Sequence, residues 1–252
     1  GGLILVGIGL GINGALIAFI ISYFLPFLFS FIPLKFVFSI DKIKFETKNI
    51  YFYSFPVLLT TFLLTAVYTI DTILVKHFLS SIEAGYYLAT SKLGTIIYFA
   101  SGAVTLVLFP QVTELHLKNQ DHKKILKRAL LIVSLLSGFI TLLYFLFAKL
   151  IVLALFGQQY LEITNYIGLF ALIMSIFSLV YVLCFYNLSI NRMNFIYVLG
   201  FFILLEAVLV WLFHDSIMEV ITILLSLLSF LLLSLLVFTL AKNEPKHNNT
   251  SI

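Results

Sequence analysis

The sequence predicts an all-α integral membrane protein of about seven transmembrane helices, and its composition is the first reason. Of the 252 residues, 62% are hydrophobic and only 10% are charged, whereas about 25% of a soluble domain is charged. The mean hydropathy is +1.14. A chain with so few polar groups cannot cover its surface in water, so most of that surface must face lipid.

The spacing of the charged residues is the second reason. A transmembrane helix needs about 20 apolar residues, and seven stretches between charges are long enough. They run approximately over residues 3–33, 48–75, 84–112, 129–156, 162–192, 193–213 and 220–241. Two connections are longer, at 35–48 and 114–128, and the second is polar enough to predict a short helix on the membrane surface.

The basic residues predict the orientation, because loops on the cytoplasmic side carry an excess of Lys and Arg. If the first helix runs from outside to inside, twelve of the 15 Lys and Arg residues fall on the inside. The N-terminus is then outside and the C-terminus is cytoplasmic. The twelve are Lys35, Lys42, Lys44, Lys48, Lys118, Lys123, Lys124, Lys127, Arg128, Arg192, Lys242 and Lys246.

Several functional classes have little support in the sequence. The basic pI of 9.0 follows from membrane topology, so we expect no nucleic-acid partner. A single cysteine, Cys184, excludes an internal disulfide framework or cysteine metal site. No nucleophile elbow, P-loop, paired-carboxylate or zinc pattern is present, so we expect neither an enzyme nor a cofactor or metal.

One glycine pattern imitates a nucleotide-binding motif. Gly9, Gly11 and Gly14 form G-x-G-x-x-G, but that motif needs a preceding strand and an acidic residue about 20 positions later. The first acidic residue is Asp41. A glycine-rich membrane helix explains the pattern better, since small residues let helices approach closely.

Three ionisable residues at membrane depth are candidates for a substrate or ion pathway, because such groups are costly in lipid. Glu206 lies near the middle of the sixth helix and is either a proton or cation site, a polar contact in a transport cavity, or a structural hydrogen bond. Asp71 and Lys92 fall at similar predicted depths. We expect them to pair or to face one polar cavity, with snorkelling towards the outer interface as the alternative.

The segment 53–94 carries the most informative pattern. Asp71 is late in the second helix, Glu83-Ala84-Gly85 and Tyr87 follow in a short outside motif, and Lys92-Leu93 begins the next helix. This order resembles the polysaccharide-flippase branch of the multidrug/oligosaccharidyl-lipid/polysaccharide exporter superfamily. Three further motifs follow in the order of that family: LFPQVTEL at 108–115, LALFGQQY at 153–160 and NLSINRMNFIYV at 187–198.

The resemblance implies a two-lobe helical transporter of which this chain is the C-terminal half. We then expect residues 1–50 to be the final helix of an N-terminal lobe with its inside linker. Residues 51–241 would form a six-helix C-terminal lobe, and 242–252 a polar cytoplasmic tail. An outside N-terminus without a signal peptide also favours helices upstream, so the N-terminal half of the same protein is an expected partner.

The resemblance also implies a function. A lipid-linked oligosaccharide, a polyprenyl-pyrophosphate glycan, would cross the cytoplasmic membrane from the inner to the outer leaflet for cell-surface polysaccharide synthesis. The two lobes would alternate access around a polar cavity while the lipid tail stays in the bilayer. Lys92 is the basic residue best placed to meet a pyrophosphate.

Two alternatives stay open at this point. A proton- or sodium-coupled multidrug antiporter of the same superfamily would use Asp71 and Glu206 as coupling residues. A non-transporting membrane scaffold protein would need neither residue for transport.

Overall fold

A computed structural model of the chain describes residues 4, 6–33 and 47–241, and its elements are helical. The chain divides into two compact units, with the boundary in sequence between Asn49 and Ile50. The elements are a π-helical turn Val6–Leu10, α1 Gly11–Ser30, α2 Thr47–Val67, α3 Ile70–Phe78, α4 Ser81–Leu117, α5 Lys123–Leu155, a 3-10 turn Gln158–Ile163, α6 Thr164–Ser189, α7 Phe195–Leu212 and α8 Ile217–Leu240.

The predicted fold class is confirmed. Seven helical segments of the described residues are long and apolar enough to cross a membrane, and the protein is therefore a multi-pass membrane protein. The segments are Gly11–Ser30, Ser54–Phe78, Ser81–Leu117, Lys123–Leu155, Gln158–Ser189, Phe195–Leu212 and Ile217–Leu240. The predicted connection at 35–48, up to residue 46, and the predicted tail 242–252 lie outside the described residues, and the assignment of units to lobes stays a prediction.

In the first unit, the glycine pattern belongs to a helical segment. Gly9 and Gly11 have φ of 95° and 49°, values that side chains with a Cβ rarely adopt, and Gly9 lies within the π-helical turn. α1 then continues to Ser30 with almost all of its surface exposed. No strand precedes the glycines in the described residues, so the nucleotide-binding alternative is not supported.

In the second unit, α6 is the central helix. It packs against α4, α5 and α8. In its most apolar stretch 72% of the residues are buried, compared with 22–39% in the corresponding stretches of the other spans of the unit. The contact with α4 is close at Gly94, where a Cβ would lie 2.9 Å from Met174 Cγ and 3.3 Å from the Phe170 carbonyl oxygen. Small residues at such crossings let the helix backbones approach.

Two helices of this unit are longer than the bilayer requires. At 1.5 Å per residue, the 37 residues of α4 and the 33 residues of α5, which is kinked at Phe147 with φ −118° and ψ 22°, have contour lengths of about 55 and 50 Å, against about 30 Å of hydrocarbon. The predicted surface helix between 114 and 128 is therefore wrong. The polar residues there belong to the extended ends of α4 and α5, which a short turn joins between Leu117 and Lys123.

The second predicted span is interrupted. α2 ends at Val67 and α3 begins at Ile70, because Thr69 leaves helical geometry with φ −127° and ψ −31°. The short α3 then packs against both α4 and α7. This junction of α3, α4 and α7 contains the candidate site.

Candidate functional site

Asp71 occupies the first turn of α3, directly after the interruption. Its side chain is only 2% exposed. The backbone N–H of Thr72 donates to Asp71 Oδ1 at 2.6 Å, and the positive end of the α3 dipole favours an acidic group at this position. In a continuous helix, the N–H of Thr72 would bond to a backbone carbonyl one turn earlier. Because the helix is interrupted, this N–H is available to the buried carboxyl of Asp71.

Tyr87 of α4 supplies the second donor to Asp71. Its hydroxyl donates to Asp71 Oδ2 at 2.5 Å, and the tyrosine is fully buried. The ring of Tyr87 packs edge-on against Phe170 of α6 with centroids 5.0 Å apart. This contact positions the phenol on the central helix, so Asp71 is connected to the most buried part of the unit.

Glu206 of α7 completes the group, which we call the carboxylate cluster: Asp71, Tyr87 and Glu206. Its side chain is 3% exposed and lies within electrostatic range of Asp71 and of Tyr87. Within the described part of the chain, Glu206 Oε1 is buried without a hydrogen-bond partner. A buried oxygen in that state is costly, and the interhelical hydrogen bond considered for it is not formed by this atom.

The chemistry of the carboxylate cluster suits a small cation or a proton. Two acidic groups close together in an apolar bundle cannot both carry an uncompensated charge. A bound proton or monovalent cation would neutralise one charge and give Glu206 Oε1 a partner. In the described ranges, no group of three or more His, Cys, Asp and Glu side chains could hold a metal ion, so a multi-ligand site for a divalent metal is not among the arrangements seen.

The predicted ion pair between Asp71 and Lys92 is not formed. The ion pair of the described residues is Lys118 with Glu114, at 2.5 Å on the surface, whereas Lys92 is exposed. The reason is helical geometry: Lys92 follows Tyr87 by five residues, which places it about 140° away around α4. Since Tyr87 faces Asp71, Lys92 faces away from it.

Sequence reasoning therefore located two members of the cluster and missed the third. Asp71 and Glu206 were identified by their cost at membrane depth, but as separate sites. Tyr87 was noted only within the Glu83–Tyr87 motif and not as a donor. Its distance from Asp71, 16 positions across a short turn, was the available sign, because a helical hairpin returns Tyr87 to the depth of Asp71.

Residues 1–165 match a protein family described as polysaccharide biosynthesis protein. The chain belongs to this polysaccharide biosynthesis family. The membership fits the predicted resemblance to the polysaccharide-flippase branch and indicates a role in polysaccharide synthesis or export. The matched region includes Asp71, Tyr87 and Lys92, whereas Glu206 lies beyond it. No curated protein and no solved structure matches the chain.

Proposed function

We propose that the protein flips a lipid-linked oligosaccharide, a polyprenyl-pyrophosphate glycan, across the cytoplasmic membrane for cell-surface polysaccharide biosynthesis. The observation that carries the proposal is the family match over residues 1–165 in a chain with seven membrane-spanning segments. A glycan assembled on a lipid on one side of a membrane must cross it to be used on the other. A multi-pass helical protein of this family suits that step, and the proposal assigns it no catalytic reaction.

The carboxylate cluster is proposed as the coupling site. Helices that are interrupted within the membrane often bind ions in transporters. α3 begins after a two-residue break that follows α2, and Asp71 lies in its first turn. Binding or release of a proton or monovalent cation there would change the charge at the junction of α3, α4 and α7. That change would bias the packing of α7, since no described residue forms a hydrogen bond with Glu206 Oε1.

Lys92 is proposed to meet the pyrophosphate. It is exposed on α4 about 16 Å along the helix from Ser81, and an ammonium group facing lipid at such a position is costly. A polar cavity completed by the N-terminal half of the protein would remove this cost. There Lys92 would act as a point charge for phosphate oxygens.

The proposal also covers the location of the protein and its partners. It would lie in the cytoplasmic membrane with a cytoplasmic C-terminus, supported by the basic residues 118–128 at one end of the bundle. Its partners would be the bilayer, the lipid-linked glycan and the N-terminal half of its own chain. The family description favours a glycan over a drug, so multidrug antiport and a scaffold role become outcomes of the test.

The test is leaflet exchange by the intact protein reconstituted in vesicles with a labelled polyprenyl-pyrophosphate oligosaccharide. We expect Glu206→Gln to lower the exchange rate about tenfold, the usual size of a coupling between sites. Lys92→Gln should lower it about tenfold as well, through loss of a charged contact to phosphate. Glu162→Gln and Lys149→Gln are matched controls, because both side chains are exposed and lie outside the cluster. Their rates should stay within about twofold of the parent.

Other outcomes would overturn the proposal. Ion-driven efflux of small organic cations without exchange of the labelled glycan would identify an antiporter. Absence of both activities in a folded, intact protein would favour a scaffold. Equal losses in Glu206→Gln and Glu162→Gln would remove the coupling role of the carboxylate cluster.

A further inference from the structure

A cavity of about 120 Å³ lies at one end of the second unit, away from the carboxylate cluster. It is bounded by the start of α5, the end of α6 and the end of α8. These three helix ends share one side of the membrane, because α5, α6, α7 and α8 are successive spans and the chain reverses direction after each. The cavity therefore lies at the depth of one membrane interface.

The charged side chains that line the cavity are basic. Lys123 and Lys127 are one helical turn apart on α5, so both side chains emerge on the same face. Arg192 approaches from the turn after α6, and no carboxylate is among the described residues that line the cavity. The neighbouring Asp121 is exposed, with Oδ1 accepting the backbone N–H of Lys123 at 3.0 Å.

Arg192 is a fixed cation at this site. Its guanidinium donates to the carbonyl oxygens of Phe238 at 3.0 Å and of Thr239 at 3.3 Å, and it lies 4.6 Å from the centre of the Phe238 ring. These contacts hold the guanidinium at the last turn of α8 while leaving its charge in place. The side chains of Lys123 and Lys127, by contrast, are exposed.

The basic residues at the start of α5 do not stabilise the helix through its dipole. Its first turn has no acidic residue, although a helix N-terminus is stabilised by negative groups and opposed by positive ones. Lys123, Lys124, Lys127 and Arg128 all lie in the first two turns. An anion bound beside Lys123 and Lys127 would complement both the side chains and the helix dipole.

Apart from His122, Tyr186 and Thr239, the remaining lining is apolar and extends towards the bilayer. Leu126, Leu130, Leu183 and Leu236 line the cavity. Leu130 follows Lys123 by seven residues, which places it about 10 Å deeper along α5. A ligand that fits this gradient has a negative head at the interface and a hydrocarbon chain below it.

We propose that this cavity binds an anionic phospholipid. The phosphate lies between Lys123, Lys127 and Arg192, and the first part of an acyl chain lies against Leu126 and Leu130. Basic pockets between membrane helices at an interface bind anionic lipid headgroups in this way. The charge complementarity and the apolar lining together select a phospholipid over a free anion.

The experiment is native mass spectrometry of the intact protein in neutral detergent, with phosphatidylglycerol and phosphatidylcholine added in equal amounts. We expect phosphatidylglycerol to be retained in preference. The double variant Lys123→Gln, Lys127→Gln should weaken its binding about 25-fold, since each basic residue near an anionic lipid contributes about fivefold. The matched control is Lys124→Gln, Arg128→Gln, which removes the same charge from residues of α5 that do not line the cavity.

Each outcome decides the proposal. Loss in the first double variant with a change of less than about threefold in the control supports it. Equal losses in both would show attraction to the general surface charge and would overturn it. Displacement of phosphatidylglycerol by millimolar inorganic phosphate would identify a site for a free anion and would also overturn it. Equal retention of phosphatidylcholine would show that the charge has no part in binding.

Discussion

The contacts around α6 and the junction of α3, α4 and α7 differ in the charge and the pairing of their buried polar groups. Around α6 the buried polar groups are neutral, and most are paired: Thr141 and Ser175 share a hydrogen bond of 2.7 Å, although Asn187 Oδ1 has no partner among the described residues. At the junction a nine-residue helix carries a buried acid, and the oxygen without a partner among the described residues, Glu206 Oε1, belongs to a second acid. The first region is suited to holding one arrangement, and the second to responding to a bound charge.

The strongest way to disturb the first region is to fill the close contact at Gly94. Gly94→Leu should lower the free energy of unfolding by about 3 kcal/mol, because the side chain would overlap Met174 and the Phe170 carbonyl. The free energy is measured by titration with SDS. Gly102→Leu on the same helix is the control, since nothing lies within 4 Å of a Cβ there. Equal effects of the two substitutions would contradict the role of the close contact.

A smaller loss is expected where the two regions meet, at Tyr87. Tyr87→Phe keeps the ring against Phe170 but removes the donor to Asp71 Oδ2. The free energy of unfolding should fall by about 2 kcal/mol, because a buried acceptor loses its partner. Tyr197→Phe, at a position 80% exposed, should change it by less than about 0.5 kcal/mol. A neutral Tyr87→Phe would show that the hydrogen bond does not hold Asp71 in place.

The smallest expected effect is an increase in the free energy of unfolding, at Glu206 in the junction. It distinguishes the two regions most clearly. Glu206→Met should raise the free energy of unfolding by about 1 kcal/mol, because an apolar side chain of similar size replaces a carboxyl with an unpartnered buried oxygen. Transport in vesicles should fall in the same variant, as expected where function retains a destabilising group. A substantial loss of stability would instead identify Glu206 as a structural residue and would contradict the comparison.

The sequence predicted the membrane spans because bilayer thickness imposes a length that hydropathy can detect. It predicted the exceptional character of Asp71 and Glu206 for a related reason, since charge in lipid is rare. Both predictions depend on residue type and depth alone. Neither requires knowledge of which way a side chain faces.

The direction of side chains is what sequence reasoning could not supply. α7 is apolar on nearly every side, and the buried face of α4 is marked by small and polar residues such as Ser91, Gly94 and Ser101, so no apolar stripe marks the face turned to the protein. Lys92 was therefore assigned to Asp71 by depth, although Tyr87 occupies the face that meets it. The interruption at Thr69 was missed for a different reason, because neither Gly nor Pro marks it.

The length of α4 has a mechanical consequence. Tyr87 at the carboxylate cluster and Leu117 at the other end lie on one helix, which contains Pro110, about 45 Å apart. A tilt of only 5° about Tyr87 would sweep Leu117 through about 4 Å over that length. α4 would therefore amplify a small rotation. A tilt that changes little beside Asp71 would displace the helix end at the opposite membrane surface by about 4 Å.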